Sequence, residues 1–195
     1  MPMRVAVAVS GRGSNLQALL DALQDGAPAQ VALVISNKPG AGGIDSAARH
    51  GIRAVVLENP ASGTEWLGHL ESSSIDLIAL AGYLKLVPAE VVQAYRGRII
   101  NIHPALLPDF GGAGMYGKRV HAAVLARGVV ETGATVHLVD EVYDRGAVLG
   151  RIRVPVKPDD TVDSLAERVL KAEHRLLPAA VLAAAEAGHP VPFTV

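Results

Sequence analysis

Val5-Ala6-Val7-Ala8-Val9-Ser10-Gly11-Arg12-Gly13-Ser14-Asn15-Leu16 is the stretch from which the fold follows. Five apolar residues rich in valine read as a buried strand, and the glycine-punctuated turn hands it to a helix. Past the turn, Leu16, Leu19, Leu20 and Leu23 fall at i, i+3, i+4 and i+7, so the helix packs one apolar face on its neighbour. Ser14 and Gln17 fit a capping box that would mark the start of that helix. A wholly apolar strand followed at once by an amphipathic helix is how a parallel α/β sheet begins.

The alternation continues along the chain. Further strands are predicted at Val31–Ile35, Ala54–Leu57, Asp76–Leu80, Arg98–His103, Ala134–Val139 and Val148–Val156. A last helix begins near Thr161, with Leu165, Val169, Ala172 and Leu176 as its apolar stripe. Too few residues join the final two strands for a crossover helix, so one of them should run antiparallel. The expected architecture is a single α/β domain over residues 1–195. It is Rossmann-like, a mostly parallel twisted sheet of about seven strands flanked by helices, with an antiparallel strand near the C-terminal end.

Composition narrows the function classes. Half of the 195 residues are hydrophobic and 19% are charged, enough apolar matter to fill a core and exclude wholesale disorder. Lys and Arg number 18 against 19 Asp and Glu, and no basic run stands out, which argues against a nucleic-acid partner held by bulk charge. With no cysteine, disulfides, thiol nucleophiles and thiolate metal sites are ruled out. His50, His69, His121, His174 and His189 show no ligand spacing with partner acids, so no metal is expected. The longest apolar run, Leu176–Ala185, is half of what a bilayer requires, and the N-terminal run Val5–Val9 is too short for a signal-peptide core. A cytoplasmic protein without a membrane partner is expected.

Three glycine-rich or polar signals then compete for chemistry. The turn Ser10–Asn15 offers backbone N–H groups at a helix start, where an anion such as a phosphomonoester is favoured. A tight, well-capped turn would look the same. It is not a dinucleotide fingerprint, because Leu16 fills the third glycine position and Ser36-Asn37-Lys38 stands where an acid would hold a ribose. The second signal, Gly112–Arg119, matches a nucleotide-triphosphate loop up to Arg119, which replaces the Ser or Thr needed for magnesium. It also follows a proline-rich segment, so a loop covering a substrate accounts for its glycines better. The irregular stretch Pro104–Gly117 is long enough that a functional role is expected.

The third signal is Ile99-Ile100-Asn101-Ile102-His103-Pro104. Alternation puts Asn101 and His103 on one face and Ile100 and Ile102 on the other. Pro104 ends the strand, which leaves the polar pair at a carboxyl end, where open α/β sheets bind ligands. A carboxamide can hold an oxyanion and an imidazole can move a proton near neutral pH. A polar strand tip bonded to loop backbone is the plainer alternative. A carboxylate that would raise the histidine's pKa is available from Asp140, Glu141 or Asp144, all after the next strand, and the sequence does not choose among them. His137, between Val136 and Leu138, reads as a buried structural histidine.

Together these segments resemble the folate-dependent formyltransferase superfamily, and within it most closely the members acting on glycinamide ribonucleotide in purine synthesis. The resemblance rests on Ser10–Asn15, Ser36–Lys38, Leu80–Tyr83, Asn101–Pro108, Gly133–His137, Asp144–Gly146 and Glu173-His174, in the superfamily's order. It implies transfer of a formyl group from 10-formyltetrahydrofolate to the amine of glycinamide ribonucleotide. Asn101, His103 and Asp144 would be catalytic, with Asp144 keeping His103 protonated. His103 and Asn101 would then stabilise and protonate the tetrahedral intermediate.

The resemblance also implies that Gly13, Ser14 and Asn15 bind the substrate around its phosphate and that Glu173 holds its ribose. Leu84, Lys85, Leu86 and Val87, together with Asn101, would contact the folate. Thr64 and Glu65 stand where many members carry a folate-binding arginine, and Ala105 and Ala147 replace a frequent serine and proline. The implied partners are small molecules, with a monomer or homodimer as the assembly. Methionyl-tRNA formyltransferase adds a C-terminal RNA-binding domain and formyltetrahydrofolate deformylase usually an N-terminal regulatory domain, so the length fits neither. The deformylase remains the alternative, since water could replace the amine. A nucleotide-dependent oxidoreductase conflicts with Leu16 and Asn37, and a non-catalytic phosphate-binding module leaves Asn101 and His103 without a purpose.

Overall fold

In a computed structural model, which describes residues 1–195, every predicted strand named above forms, and the apolar run Leu176–Ala185 lies in the last helix. The order is β1 (Met3–Val9), α1 (Ser14–Ala22), β2 (Ala29–Ser36), α2 (Gly42–Arg49), β3 (Ala54–Val56), α3 (Gly63–Ser72) and β4 (Leu77–Leu80). It continues with α4 (Ala89–Ala94), β5 (Ile99–His103), α5 (Lys118–Arg127), β6 (Glu131–Leu138), β7 (Val148–Pro155) and α6 (Val162–Ala187). The strands make one seven-stranded sheet in the order β3-β2-β1-β4-β5-β6-β7. The pairs from β3 to β5 are parallel, and β6 runs antiparallel to both neighbours, as its short connection to β7 requires.

Successive side chains of the central strands enter different cores. Val5, Val7 and Val9 pack with Ile100, Ile102 and the apolar face of α6, whereas Ala6 and Ala8 pack with Ile99, Trp66 and the inner face of α3 and α4. Burial on both faces is why these strands read as continuous apolar runs. The chain moves outward from β1 through β2 to β3, then returns to place β4 on the other side of β1. That reversal opens a crevice beyond the carboxyl ends of β1 and β4, with β5 beside it.

Helix starts differ from expectation at one end of the chain and agree at the other. Thr161 caps α6 through a capping box with Ser164. Ser14 does not cap α1: the cap position is Gly13, in the left-handed region at φ 79°, with no side-chain bond. The Gln17 side chain donates to Asp21 and accepts from Ser46 instead. A residue with a Cβ at position 13 would bring that atom to 2.7 Å from the Gly43 Cα, so α2 packs too closely on the turn for anything but glycine.

Candidate active site

Because β5 pairs with β6 antiparallel, Asn101 lies directly across from His137 and His103 across from Thr135. Cross-strand partners on one face are near enough to bond, and Asn101 Nδ2 donates to His137 Nε2 at 3.0 Å. His137 Nδ1 lies 2.7 Å from the Leu138 carbonyl. A carbonyl only accepts, so Nδ1 carries the hydrogen and Nε2 is free to receive the Asn101 amide. Sequence reasoning took His137 for a structural residue. It is buried and bonded as expected, yet it also lies in the polar cluster, because register with Asn101 is invisible without the strand pairing.

Of the three candidate acids, the turn after β6 delivers Asp144. Asp144 adopts φ 55°, a left-handed conformation that Asp tolerates better than most residues, which turns its carboxylate back toward β5. One oxygen lies 3.6 Å from His103 Nδ1; the other lies 3.4 Å from both Asn101 Nδ2 and His137 Nε2. Asp140 spends a carboxylate oxygen on the Val142 amide, and Glu141 is exposed.

The stretch following β5 closes over this cluster. The Phe110 carbonyl lies 2.8 Å from His103 Nε2, and the Gly112 amide donates to Asp144 at 2.8 Å. The contact with Phe110 fixes the imidazole hydrogen on Nε2, so His103 gains or loses a proton at Nδ1, facing Asp144. Thr135 ties the turn down, donating to the Ala105 carbonyl at 2.6 Å and accepting the Leu107 amide at 3.1 Å.

Burial is the largest influence on His103 and holds its pKa below the ordinary histidine value. Asp144 and the Phe110 carbonyl pull the other way without prevailing, and the His137 charge adds to the lowering. The resting imidazole is therefore neutral near pH 7, the opposite of what a lone neighbouring carboxylate would produce. Burial works to raise the Asp144 pKa, but the contacts with His137, His103 and the Gly112 amide together hold it below the usual carboxylate range.

A cavity of about 610 Å³ connects this cluster with the first glycine turn. Gly13, Ser14 and Asn15 line it, as do Leu84 to Val87 and Asn101, His103 and Asp144. Glu173 reaches it from α6 and accepts the Asn15 carboxamide at 2.7 Å. Burial pushes the Glu173 carboxyl up to about 7, against the opposing effect of that bond. The Asn15 Oδ1 atom is buried without a protein partner. All the sequence-predicted site residues thus meet in one place.

Two features escaped the sequence, one of them in the cavity wall. His121, on the inner face of α5 beside Val120 and Val124, is buried and lines the cavity, and burial together with the His103 charge lowers its pKa. Asn37, at the position that disqualified a dinucleotide site, accepts the Ser10 hydroxyl at 2.6 Å. Ser10 in turn accepts the Leu84 amide at 2.9 Å, which links the glycine turn to the segment after β4. The Gly112–Arg119 segment contributes Met115, Tyr116 and Lys118 to the cavity wall, and Lys118 meets Asp163 of α6 at 2.6 Å.

Comparison with known proteins finds the same arrangement of sequence and fold. The formyl transferase family model matches residues 3–181. The chloroplastic phosphoribosylglycinamide formyltransferase of Arabidopsis thaliana is 44% identical over 181 residues, 89% of this chain and 62% of that protein. The chain therefore spans less than two thirds of that relative. The phosphoribosylglycinamide formyltransferase of Haemophilus influenzae is 38% identical over 182 residues, covering 90% of this chain and 84% of the relative. The crystal structure of phosphoribosylglycinamide formyltransferase from Anaplasma phagocytophilum superposes with a TM-score of 0.88 at 35% identity, over 96% of this chain and 88% of that one.

Proposed function

The chain belongs to the formyl transferase family, and on that premise we propose that it transfers the formyl group of 10-formyltetrahydrofolate to the amine of glycinamide ribonucleotide. The product is formylglycinamide ribonucleotide, an intermediate of de novo purine synthesis, and residues 1–195 act as one catalytic domain. The observation that carries this reading is the single cavity joining an anion-favouring helix start to an Asn–His–Asp cluster. Its volume of about 610 Å³ lies within the roughly 300–1,000 Å³ of small-molecule sites.

In this reading Gly13, Ser14 and Asn15 hold the substrate phosphate with backbone amides at the start of α1. Glu173 and the unpartnered Asn15 Oδ1 accept the ribose hydroxyls, which supply the donor that Asn15 Oδ1 lacks. Leu84, Lys85, Leu86 and Val87 line the folate end. Bound there, the co-substrate supplies an electrophilic formyl carbon beside the cluster.

When the amine adds to that carbon, negative charge develops on the formyl oxygen. Asn101 has one amide hydrogen well bonded to His137 and the other on the long 3.4 Å contact with Asp144. The second hydrogen is the one that turns to the oxyanion. His103, neutral at rest, takes at Nδ1 the proton shed by the amine and returns it to the departing folate nitrogen, so protons balance. Asp144, ionised, steadies the imidazolium between those events. One expectation is altered here: His103 begins neutral instead of being kept protonated by Asp144. The test is an assay of formyl transfer to glycinamide ribonucleotide beside a water-only control. Formylated product is expected, and folate consumption in the control alone would make the protein a hydrolase.

A further inference from the structure

The register that sets Asn101 against His137 makes a second row. His103 on β5 lies across from Thr135 on β6, and Thr135 lies across from Arg151 on β7, so the three side chains share one face of the sheet. Two of them reach the turn that leaves β5. The Thr135 hydroxyl spends its hydrogen on the Ala105 carbonyl and accepts the Leu107 amide, and the Leu107 carbonyl takes its hydrogen from Arg151 Nη2 at 2.5 Å. Arg153, two residues on, is ion-paired with Glu131, whereas the Arg151 guanidinium is spent on that carbonyl. A charged donor makes such a bond stronger than a neutral one would.

Leu107 carries that anchorage to the reaction centre. Its side chain is buried and fits against Gly111, where a Cβ would fall 2.5 Å from Leu107 Cδ2 and 3.1 Å from the Asp144 Cβ. Gly111 is therefore held between Leu107 and Asp144, and the residues on either side of it supply the backbone groups that fix the cluster. The Phe110 carbonyl keeps the hydrogen on His103 Nε2, and the Gly112 amide holds the Asp144 carboxylate. Arg151 is exposed and lies outside the cavity wall, so it reaches the chemistry only through this chain of contacts.

We propose that Arg151 is a positioning residue: by clamping the Leu107 carbonyl it holds the turn after β5 in the shape that aims His103 and Asp144. Its kinetic effect rests on the formyl-transfer reading above. A displacement of about 1 Å in a reacting group can cost about 10²-fold in rate. Thr135 remains as a second anchor of the same turn, so the loss expected here is smaller.

Arg151→Met, Arg151→Lys and Arg153→Met are compared with the parent protein by steady-state kinetics in both substrates, by thermal unfolding, and by nitrogen-15 correlation spectra of the His103 imidazole, assigned with His103→Ala. Arg151→Met should lower kcat by about three- to thirtyfold and keep both KM values within about twofold. Its His103 signals should pass from a single tautomer with the hydrogen on Nε2 to a mixture. Arg151→Lys keeps a charged donor and should restore both readouts. Arg153→Met removes the same charge from the same strand and should leave both as in the parent. An unchanged kcat or a single tautomer in Arg151→Met overturns the proposal, and a lowered Tm beside either one makes the bond structural only. An equal loss in Arg153→Met overturns it in favour of strand charge. A parent protein without formyl transfer overturns the reading beneath it, and the spectra then decide separately whether Arg151 aims the imidazole.

Discussion

The carboxamide of Asn15 donates to the carboxylate of Glu173 across 2.7 Å, binding the first turn of the chain to its last helix 158 residues away. The Glu173 carboxyl, buried in that position, titrates near 7 rather than in the usual range. For an acid whose pKa is raised by folding, the native form keeps its proton where the unfolded chain has released it. Its contribution is therefore full below about pH 4.5 and declines as pH rises through about 7. A shift of this size corresponds to about 3 kcal/mol. Glu173→Gln keeps an acceptor for Asn15 and removes the ionisation. Urea unfolding should find the variant more stable than the parent at pH 8 by an amount of that order, and nearly equal at pH 4.5. Equal stability at pH 8 would show that the carboxylate is solvated.

Histidines set the opposite limb. Burial lowers the pKa values of His103, His121 and His174. Between those values and about 6.5 the unfolded chain binds protons that the native state refuses, so stability rises with pH in that window and falls on acidification. Activity should follow for a different reason, since His103 must be neutral to accept the amine's proton. We expect kcat/KM to decline on acidification, at a pH below the ordinary histidine value, steepened by protonation of the amine itself. A rate that stays flat from pH 5 to 9, with chemistry limiting, contradicts the assigned role.

His103→Ala separates chemistry from binding. In the proposed reaction the imidazole acts at the reacting carbon, whereas the proposed phosphate and ribose contacts lie at Gly13–Asn15 and Glu173. Loss of a positioned acid–base group costs about 10²- to 10⁴-fold, so kcat should fall by that factor. Calorimetric titration should show glycinamide ribonucleotide binding within a few-fold of the parent. Near-normal turnover in a folded variant would remove His103 from the mechanism.

What could be read in advance followed from periodicity. Seven apolar runs fixed the sheet, and strand alternation put Asn101 and His103 on one face, opposite Ile100 and Ile102, as the two cores confirm. Properties that depend on two distant segments were not legible. His137 joins the cluster only through its register with Asn101, and Asp144, which the family resemblance singled out but strand pattern could not separate from Asp140 and Glu141, is aimed by a left-handed turn. Ser14 carried a capping signal that the approach of Gly43 to Gly13 overrode. The His103 charge state was inferred from a neighbouring acid when burial decides it.

The turn that aims Asp144 offers the last test. A Cβ on Gly146 would fall 1.7 Å from the Leu138 carbonyl oxygen, a contact that only backbone movement can relieve. That movement would draw the turn away from the end of β6 and displace Asp144, two residues upstream. Gly146→Ala should therefore lose about 2–4 kcal/mol of stability, in the range of strongly disruptive single substitutions, and lower kcat further than the stability loss explains. Gly68 gives the contrast. It lies within α3 with no atom near its missing Cβ, so Gly68→Ala should add about 0.5–1 kcal/mol through helix propensity alone and leave kcat unchanged. Paired unfolding and kinetic measurements check both. A tolerated alanine at position 146 would mean that the Asp144 turn adjusts freely and does not aim the carboxylate.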